Sequence, residues 1–361
     1  MKVLIAAGGT GGHIYPGIAV AQEIRRRDRE SQVRFVGTAR GLETRLVPQA
    51  GFELSLIDSA GLKNVSAVAR MKGLVILPKS FVSARRVIRA FQPDVVVGAG
   101  GYVSGPVVLM AAMLRRPTLV MESNALPGWT NRVLARFVDR AAVSFEQALP
   151  YFRGKAVVTG NPVRREFFEI PPKQREPGAL SLLVFGGSQG ARAINEVMVA
   201  ALLGLKQLSV ALRIKHQTGA ADFEKVKAAY LAAGWDERAE VCSYIDNMMN
   251  DFAAADLVIC RAGATTTAEL IAAGKASIMI PFPYAADDHQ RKNAEALQAA
   301  GAARMIVQQE LSGERLVAEI NELAQAPEQL TGMETASRSL AHGDAAAAAV
   351  DLIEGLVGKR I

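Results

Sequence analysis

Two stretches of this 361-residue chain share one grammar: "KVLIAAGGTGGHIYPGIAVA" at 2–21 and "LSLLVFGGSQGARAIN" at 180–195. Each is a short apolar run, then clustered glycines, then residues at helical spacing, which reads as strand, tight loop and helix. Pro16 is expected in the first helical turn, where its missing N–H costs nothing. Short apolar runs continue through both halves, at "QVRFVG", "PDVVVGAGG" and "PTLVMES", then at "LRIKHQTG", "AEVCSYI", "ADLVICRAG" and "ASIMIPFP". Helical stretches separate them. This alternation predicts an α/β protein with two doubly wound parallel sheets, each covered by helices on both faces.

A chain of 361 residues also exceeds what one hydrophobic core usually supports. The linker is expected in "GNPVRREFFEIPPKQREPG" (160–178), where prolines and charges interrupt the periodicity. Domains are therefore expected over 1–163 and 164–342, with a last helix in 343–361. At 50% hydrophobic and 6% aromatic residues the composition suits a soluble α/β protein and argues against disorder. Cys242 and Cys260 lie in apolar stretches without metal-like spacing and read as reduced, non-catalytic core residues of a cytosolic protein. No leader is evident, and no apolar run approaches the ~20 residues that cross a bilayer.

Charge is unevenly placed. Residues 1–163 hold 22 Lys and Arg against 10 Asp and Glu, whereas 164–361 hold 20 against 25. The basic half calls for an anionic partner, nucleic acid or anionic lipid. Nucleic acid is disfavoured, because the bases lack interleaved aromatics and no recognition motif is present. The stretch 69–91 mixes Leu74, Val75, Leu77 and Phe81 with Lys72, Lys79, Arg85, Arg86 and Arg89, a composition for the headgroup boundary of an anionic membrane and equally for a core helix.

Glycine loops before helices suit phosphate, because backbone N–H groups approach closely and the helix adds its positive end. Neither loop is a standard nucleotide fingerprint. Read as G-x-G-x-x-G from Gly9, the first puts Ile14 at the last glycine, and no Lys-Ser/Thr pair marks a P-loop. Tight βα turns alone would explain one such loop; two at equivalent places point to ligand. His13, at a helix N-terminus, suits a neutral general base or a turn-capping role. His216, His289 and His342 share no metal pattern, and Asp287-Asp288 reads as a solvated pair, so no metal site is expected.

Seven segments in order, "GGTGGHIYPGIAVA" (8–21), "GAGGYVSGP" (98–106), "ESNALPGWTNR" (122–132), "GNPVR" (160–164), "FGGSQGARAIN" (185–195), "CRAGATTTAEL" (260–270) and "DDHQRKNA" (287–294), resemble the MurG family of bacterial glycosyltransferases. That family adds N-acetylglucosamine to undecaprenyl-pyrophosphoryl-N-acetylmuramoyl-pentapeptide. The resemblance implies a GT-B fold, two Rossmann-like domains facing one cleft, with an acceptor domain first, a UDP-N-acetylglucosamine domain second and the last helix returning to the first. It assigns Ser188 and Arg164 to the diphosphate, the Ile245 backbone to uracil, and Glu269 to the ribose beside Ala264, Thr265, Thr266, Thr267 and Ala268. Asn124 and Gln290, the latter sharing its role with His289, would meet the sugar, with Thr10, Gly11 and Gly12 facing the donor. His13 is the expected base and Glu269 its catalytic companion, while Gly100, Gly101, Tyr102 and Ser104 would receive the acceptor pyrophosphate. No cofactor is called for, and the chain is expected on the cytoplasmic membrane face. Another lipid acceptor, a UDP-sugar epimerase and a non-catalytic nucleotide-sugar binder are the competing readings.

Overall fold

The computed structural model describes all residues except 10, 40, 59–66, 188, 286, 287, 342 and 359–361, together with the side chains of 67–77. It divides into two compact units, Met1–Arg164 with His342–Ile361, and Arg165–Ala341.

The first unit holds β1 (Lys2–Ala7), β2 (Gln32–Gly37), β3 (Glu53–Leu56), β4 (Val95–Gly100), β5 (Thr118–Glu122), β6 (Arg140–Val143) and β7 (Ala156–Val158). They form one parallel sheet in the order β3-β2-β1-β4-β5-β6-β7. Val3 stands in register with both Val33 and Val95. Apolar residues point to both faces, as a sheet covered on both sides requires. Val3, Ile5, Phe35 and Val97 share a core with Ile14, Ile18 and Ile24 of the Gly11–Arg27 helix, and Leu4, Val36, Val96 and Val120 share another with Ile88 and Val107. Burial of each such side chain contributes roughly 1.5–3 kcal/mol.

The first helix starts at Gly11 rather than at Pro16, which lies buried inside it. Because the first four N–H groups of a helix have no internal partner, a proline one turn in removes only the earliest ladder bonds. The final helix, Ala345–Gly358, packs Ala349, Val350 and Ile353 into the first unit's core. Arg27 ties it down, donating to Asp351 at 2.6 Å, Glu354 at 2.9 Å and the Ala347 carbonyl at 3.0 Å.

The second unit holds β8 (Ala179–Phe185), β9 (Ala211–Gln217), β10 (Ala239–Cys242), β11 (Leu257–Cys260), β12 (Ser277–Met279) and β13 (Ala303–Met305). These are parallel in the order β10-β9-β8-β11-β12-β13. Leu182, Val184, Ile214, Ile259 and Ile278 pack against Ile194, Met198 and Leu202 of the Arg192–Lys206 helix. In both sheets the strand order reverses beside the first strand, between β1 and β4 and between β8 and β11. Open α/β sheets bind ligands at such a switch point, beyond the carboxyl ends of the strands.

Candidate active site

At the switch point of the first unit, the loops after β1 and β4 touch. Gly100 and Gly101 have φ of 116° and 80°, a backbone only glycine adopts easily. A Cβ on Gly101 would run into the Gly8 carbonyl oxygen, and one on Gly100 into the His13 ring. His13 is half-buried in the first turn of the Gly11–Arg27 helix, its imidazole laid on the Gly100 backbone. Gly11 and Gly12 open the same helix; Thr10 lies outside the described residues. Ser104 points inward, where its Oγ accepts from the Gly100 N–H at 2.9 Å and lies 2.9 Å from the Ala6 carbonyl. Tyr102 is exposed beside it.

Two buried carboxylates hold this end of the sheet, and neither was singled out from the sequence. Glu43 accepts from Gly9 N–H at 3.0 Å, Thr38 N–H at 2.8 Å and Thr38 Oγ1 at 2.9 Å. Burial raises its carboxyl, but those donors outweigh it and hold the group below its ordinary value. Gly37 and Gly41, whose side-chain positions Glu43 fills, were the available signal. Glu122, at the end of β5, accepts from the backbone and side-chain N–H of Asn124, both at 3.0 Å, and from Gly128 N–H and Asn131 Nδ2, both at 2.9 Å. Burial pushes its carboxyl up despite the four donors. Asn124 is thus seated by Glu122, and Ser123 is joined at 2.9 Å to Asn161 of the "GNPVR" stretch that carries exposed Arg164.

In the second unit the glycine loop follows β8, and Ser188 within it lies outside the described residues. A Cβ on Gly190, φ 76°, would run into the Thr218 carbonyl oxygen. Gln217 stands behind the loop, donating to the Gly187 carbonyl at 2.8 Å and accepting the Ile245 N–H at 3.1 Å. Ile245 is buried with its N–H thus used. Further back, His216 bridges Tyr230 OH at 3.0 Å and Asn195 Oδ1 at 3.1 Å, while Asn195 Nδ2 donates to the Thr218 carbonyl at 2.9 Å. Burial lowers His216 to about 4, so the ring is neutral.

The Ala264–Ala273 helix follows β11, with Gly263 as a cap that offers no side chain. Ala264 to Ala268 make its first turn and Glu269 follows, half-buried and close enough to raise the Cys260 thiol. Thr267 Oγ1 bonds the Gly263 carbonyl at 2.9 Å, whereas Thr265 Oγ1 is buried with no hydrogen-bond partner among the described residues. Gln290, in the His289–Ala299 helix, accepts the Phe282 N–H at 3.0 Å. Both thiols are raised by burial, Cys242 to about 11, which leaves them inert near neutrality.

The comparisons with known proteins agree with this architecture. The glycosyltransferase family 28 N-terminal domain matches residues 3–143 and the C-terminal domain of the same family matches 181–352. A UDP-N-acetylglucosamine–N-acetylmuramyl-(pentapeptide) pyrophosphoryl-undecaprenol N-acetylglucosamine transferase of Geobacter sulfurreducens is 46% identical over 97% of both chains, and one of Syntrophus aciditrophicus is 48% identical over 97% of both. The chain belongs to glycosyltransferase family 28, in its MurG group. Among solved structures, MurG of Acinetobacter baumannii superposes with a TM-score of 0.81 at 34% identity, covering 98% of this chain and 99% of that one. Family 28 membership makes both units Rossmann-like halves of a GT-B glycosyltransferase.

Proposed function

We propose that this family 28 member transfers N-acetylglucosamine from UDP-N-acetylglucosamine to the C4 hydroxyl of undecaprenyl-pyrophosphoryl-N-acetylmuramoyl-pentapeptide, a step of peptidoglycan synthesis. The full-length identity of 46–48% to transferases named for that reaction carries the reading. The C4 oxygen bonds to the anomeric carbon as the bond from that carbon to the diphosphate oxygen breaks. The sugar centre inverts, UDP departs, and the hydroxyl proton passes to His13.

Each unit supplies its own part in this reading. Glu269 accepts from the ribose hydroxyls, the Ile245 backbone meets uracil, and Arg164, Ser188 and the amides that open the Ala264–Ala273 helix, Ala264 to Thr266, balance charge growing on the leaving diphosphate. Thr265 Oγ1, buried and without a partner among the described residues, supports a ligand at that helix start. Asn124 and Gln290 hold the sugar, while Gly100, Gly101 and Tyr102 receive the acceptor pyrophosphate. Ser104 serves through the backbone it latches.

His13→Ala is expected to cut kcat by ~10²–10⁴ with UDP affinity unchanged, the range for a lost general base. Near-normal turnover would remove His13 from the role. UDP release that requires the muramoyl lipid separates this transferase from an epimerase, a binder or an enzyme of another lipid acceptor; release without that lipid would defeat the proposal.

Among the described residues no helix is long and apolar enough to cross a membrane. We infer peripheral attachment at the cytoplasmic face through the basic first unit. In the Ala67–Phe91 helix, Ala84, Ile88 and Phe91 face the core, whereas Lys79, Arg85, Arg86 and Arg89 are exposed. The side chains of Lys72, Leu74, Val75 and Leu77 lie outside the described residues. Binding to anionic vesicles that weakens as salt rises is the expected result.

A further inference from the structure

Arg261, the first residue after β11, is an arginine buried to 8% exposure with no carboxylate among its hydrogen-bond partners in the described residues. Its guanidinium instead reaches three oxygens. Nη1 donates to the Ile280 carbonyl at 3.0 Å and the Pro281 carbonyl at 3.1 Å, and Nη2 donates to Gln308 Oε1 at 2.8 Å. The Phe282 ring lies over the same guanidinium at 5.5 Å. Asn293, in the His289–Ala299 helix, ties that helix to the same end of β11, donating to the Ala262 carbonyl at 3.1 Å. A planar fork of five donors is well suited to hold backbone carbonyls in fixed directions, which a lysine cannot do. The backbone after β12 is therefore clamped to the end of β11.

That clamp fixes the polarity of a neighbouring amide. Phe282 N–H is a donor, so the atom of Gln290 facing it at 3.0 Å must be Oε1. The side-chain NH2 is turned the other way and has only donors to offer. We propose that Arg261 is a positioning residue for the donor sugar: by anchoring Pro281 and Phe282 it makes Gln290 a hydrogen-bond donor to an acceptor oxygen of the sugar, a hydroxyl lone pair or the N-acetyl carbonyl. This rests on the reading that Gln290 meets the sugar.

Gln290→Glu tests the polarity, because a carboxylate still accepts Phe282 N–H but has nothing to donate. It is expected to raise KM for UDP-N-acetylglucosamine about tenfold or more while kcat at saturation falls less and UDP affinity stays within twofold, since UDP lacks the N-acetylglucosamine that Gln290 meets. Arg261→Lys is expected to give the same signature more weakly. The double variant should be no worse than Gln290→Glu alone, the mark of two residues acting through one contact. A Gln290→Glu enzyme with KM within twofold of the parent would overturn the polarity; equal weakening of UDP and UDP-N-acetylglucosamine by Arg261→Lys, or additive effects, would reduce Arg261 to a structural support. If Arg261→Lys does not fold, Gln290→Glu still decides, as a one-atom change on a helix. Calorimetric binding of UDP-N-acetylglucosamine relative to UDP reads the proposal even if no transfer occurs, so failure of the transferase reading is told apart from failure of this one.

Discussion

Glu43 stands behind the first glycine loop and Gln217 behind the second, and the two loops differ in electrical character because of it. In the first, Gly9 N–H is turned inward to a buried carboxylate. In the second, the Gly187 carbonyl is capped by an amide donor. An inward carboxylate repels a phosphate, whereas a capped carbonyl removes a repulsive dipole and leaves N–H groups to face a ligand. In the proposed function the second loop is the anion cradle and the first is not, a difference that glycine spacing alone does not show and the side chain behind each loop does. Gly8 of the first loop meets the backbone of Gly101 in the loop after β4, and Gly100 there meets the His13 ring, so glycine at these places serves close approach.

Substitutions at the crowded glycines should produce the largest contrast. Gly101→Ala and Gly190→Ala each force a Cβ into a carbonyl oxygen at positive φ, and each is expected to cost about 3 kcal/mol or more in urea denaturation. Only Gly190→Ala should also weaken UDP binding, by tenfold or more; equal loss of UDP affinity in both variants would break the distinction between the second loop and the Gly101–Gly8 contact that braces the first.

Exchanging the residues behind the loops comes next in size. Gln217→Glu sets a buried carboxylate against the Gly187 carbonyl, with an expected cost of about 2–4 kcal/mol and weakened UDP binding. Glu43→Gln is expected to cost about 1–3 kcal/mol and to leave UDP affinity within twofold. It also has a pH signature. Because the folded-state carboxyl of Glu43 lies below its ordinary value, it contributes stability above that value and loses it as pH falls through the folded one. The glutamine variant should therefore show a flatter acid limb in a stability-versus-pH titration; an unchanged limb would mean that Glu43 is not held ionised.

The smallest expected effect is that of Ser104→Ala, about 1 kcal/mol from one lost hydroxyl latch on the Gly100 loop. Thermal denaturation reads it, and a loss as large as that of Gly101→Ala would show that the latch rather than the glycine backbone holds the loop.

The long central strands were legible because fully buried parallel strands are continuous apolar runs: "KVLIAA", "VVVGAG" and "LSLLVF" announce β1, β4 and β8. The strands β3, β6, β7 and β13, three or four residues each, are not set in longer apolar runs, whereas the equally short β10, β11 and β12 lie within "AEVCSYI", "ADLVICRAG" and "ASIMIPFP". Pro16 lies past the first turn of the Gly11–Arg27 helix rather than within it; a proline looks like a boundary in one dimension and is tolerated one turn inside. Glu43 and Glu122 were invisible for another reason. A lone glutamate reads as a solvated charge until the fold brings N–H donors from several turns of chain around it.

Read alone, the chain's letters specify two βα-grammar halves, their apolar strands, a basic first half and glycines where backbones pass closely, since all of these arise from neighbours within a few residues. Tertiary packing decided which partner each loop leans on, which carboxylates are buried, and which way the Gln290 amide faces. Those outcomes depend on desolvated groups dozens of residues apart meeting one another, and a buried donor or acceptor takes its orientation from whichever partner the fold delivers.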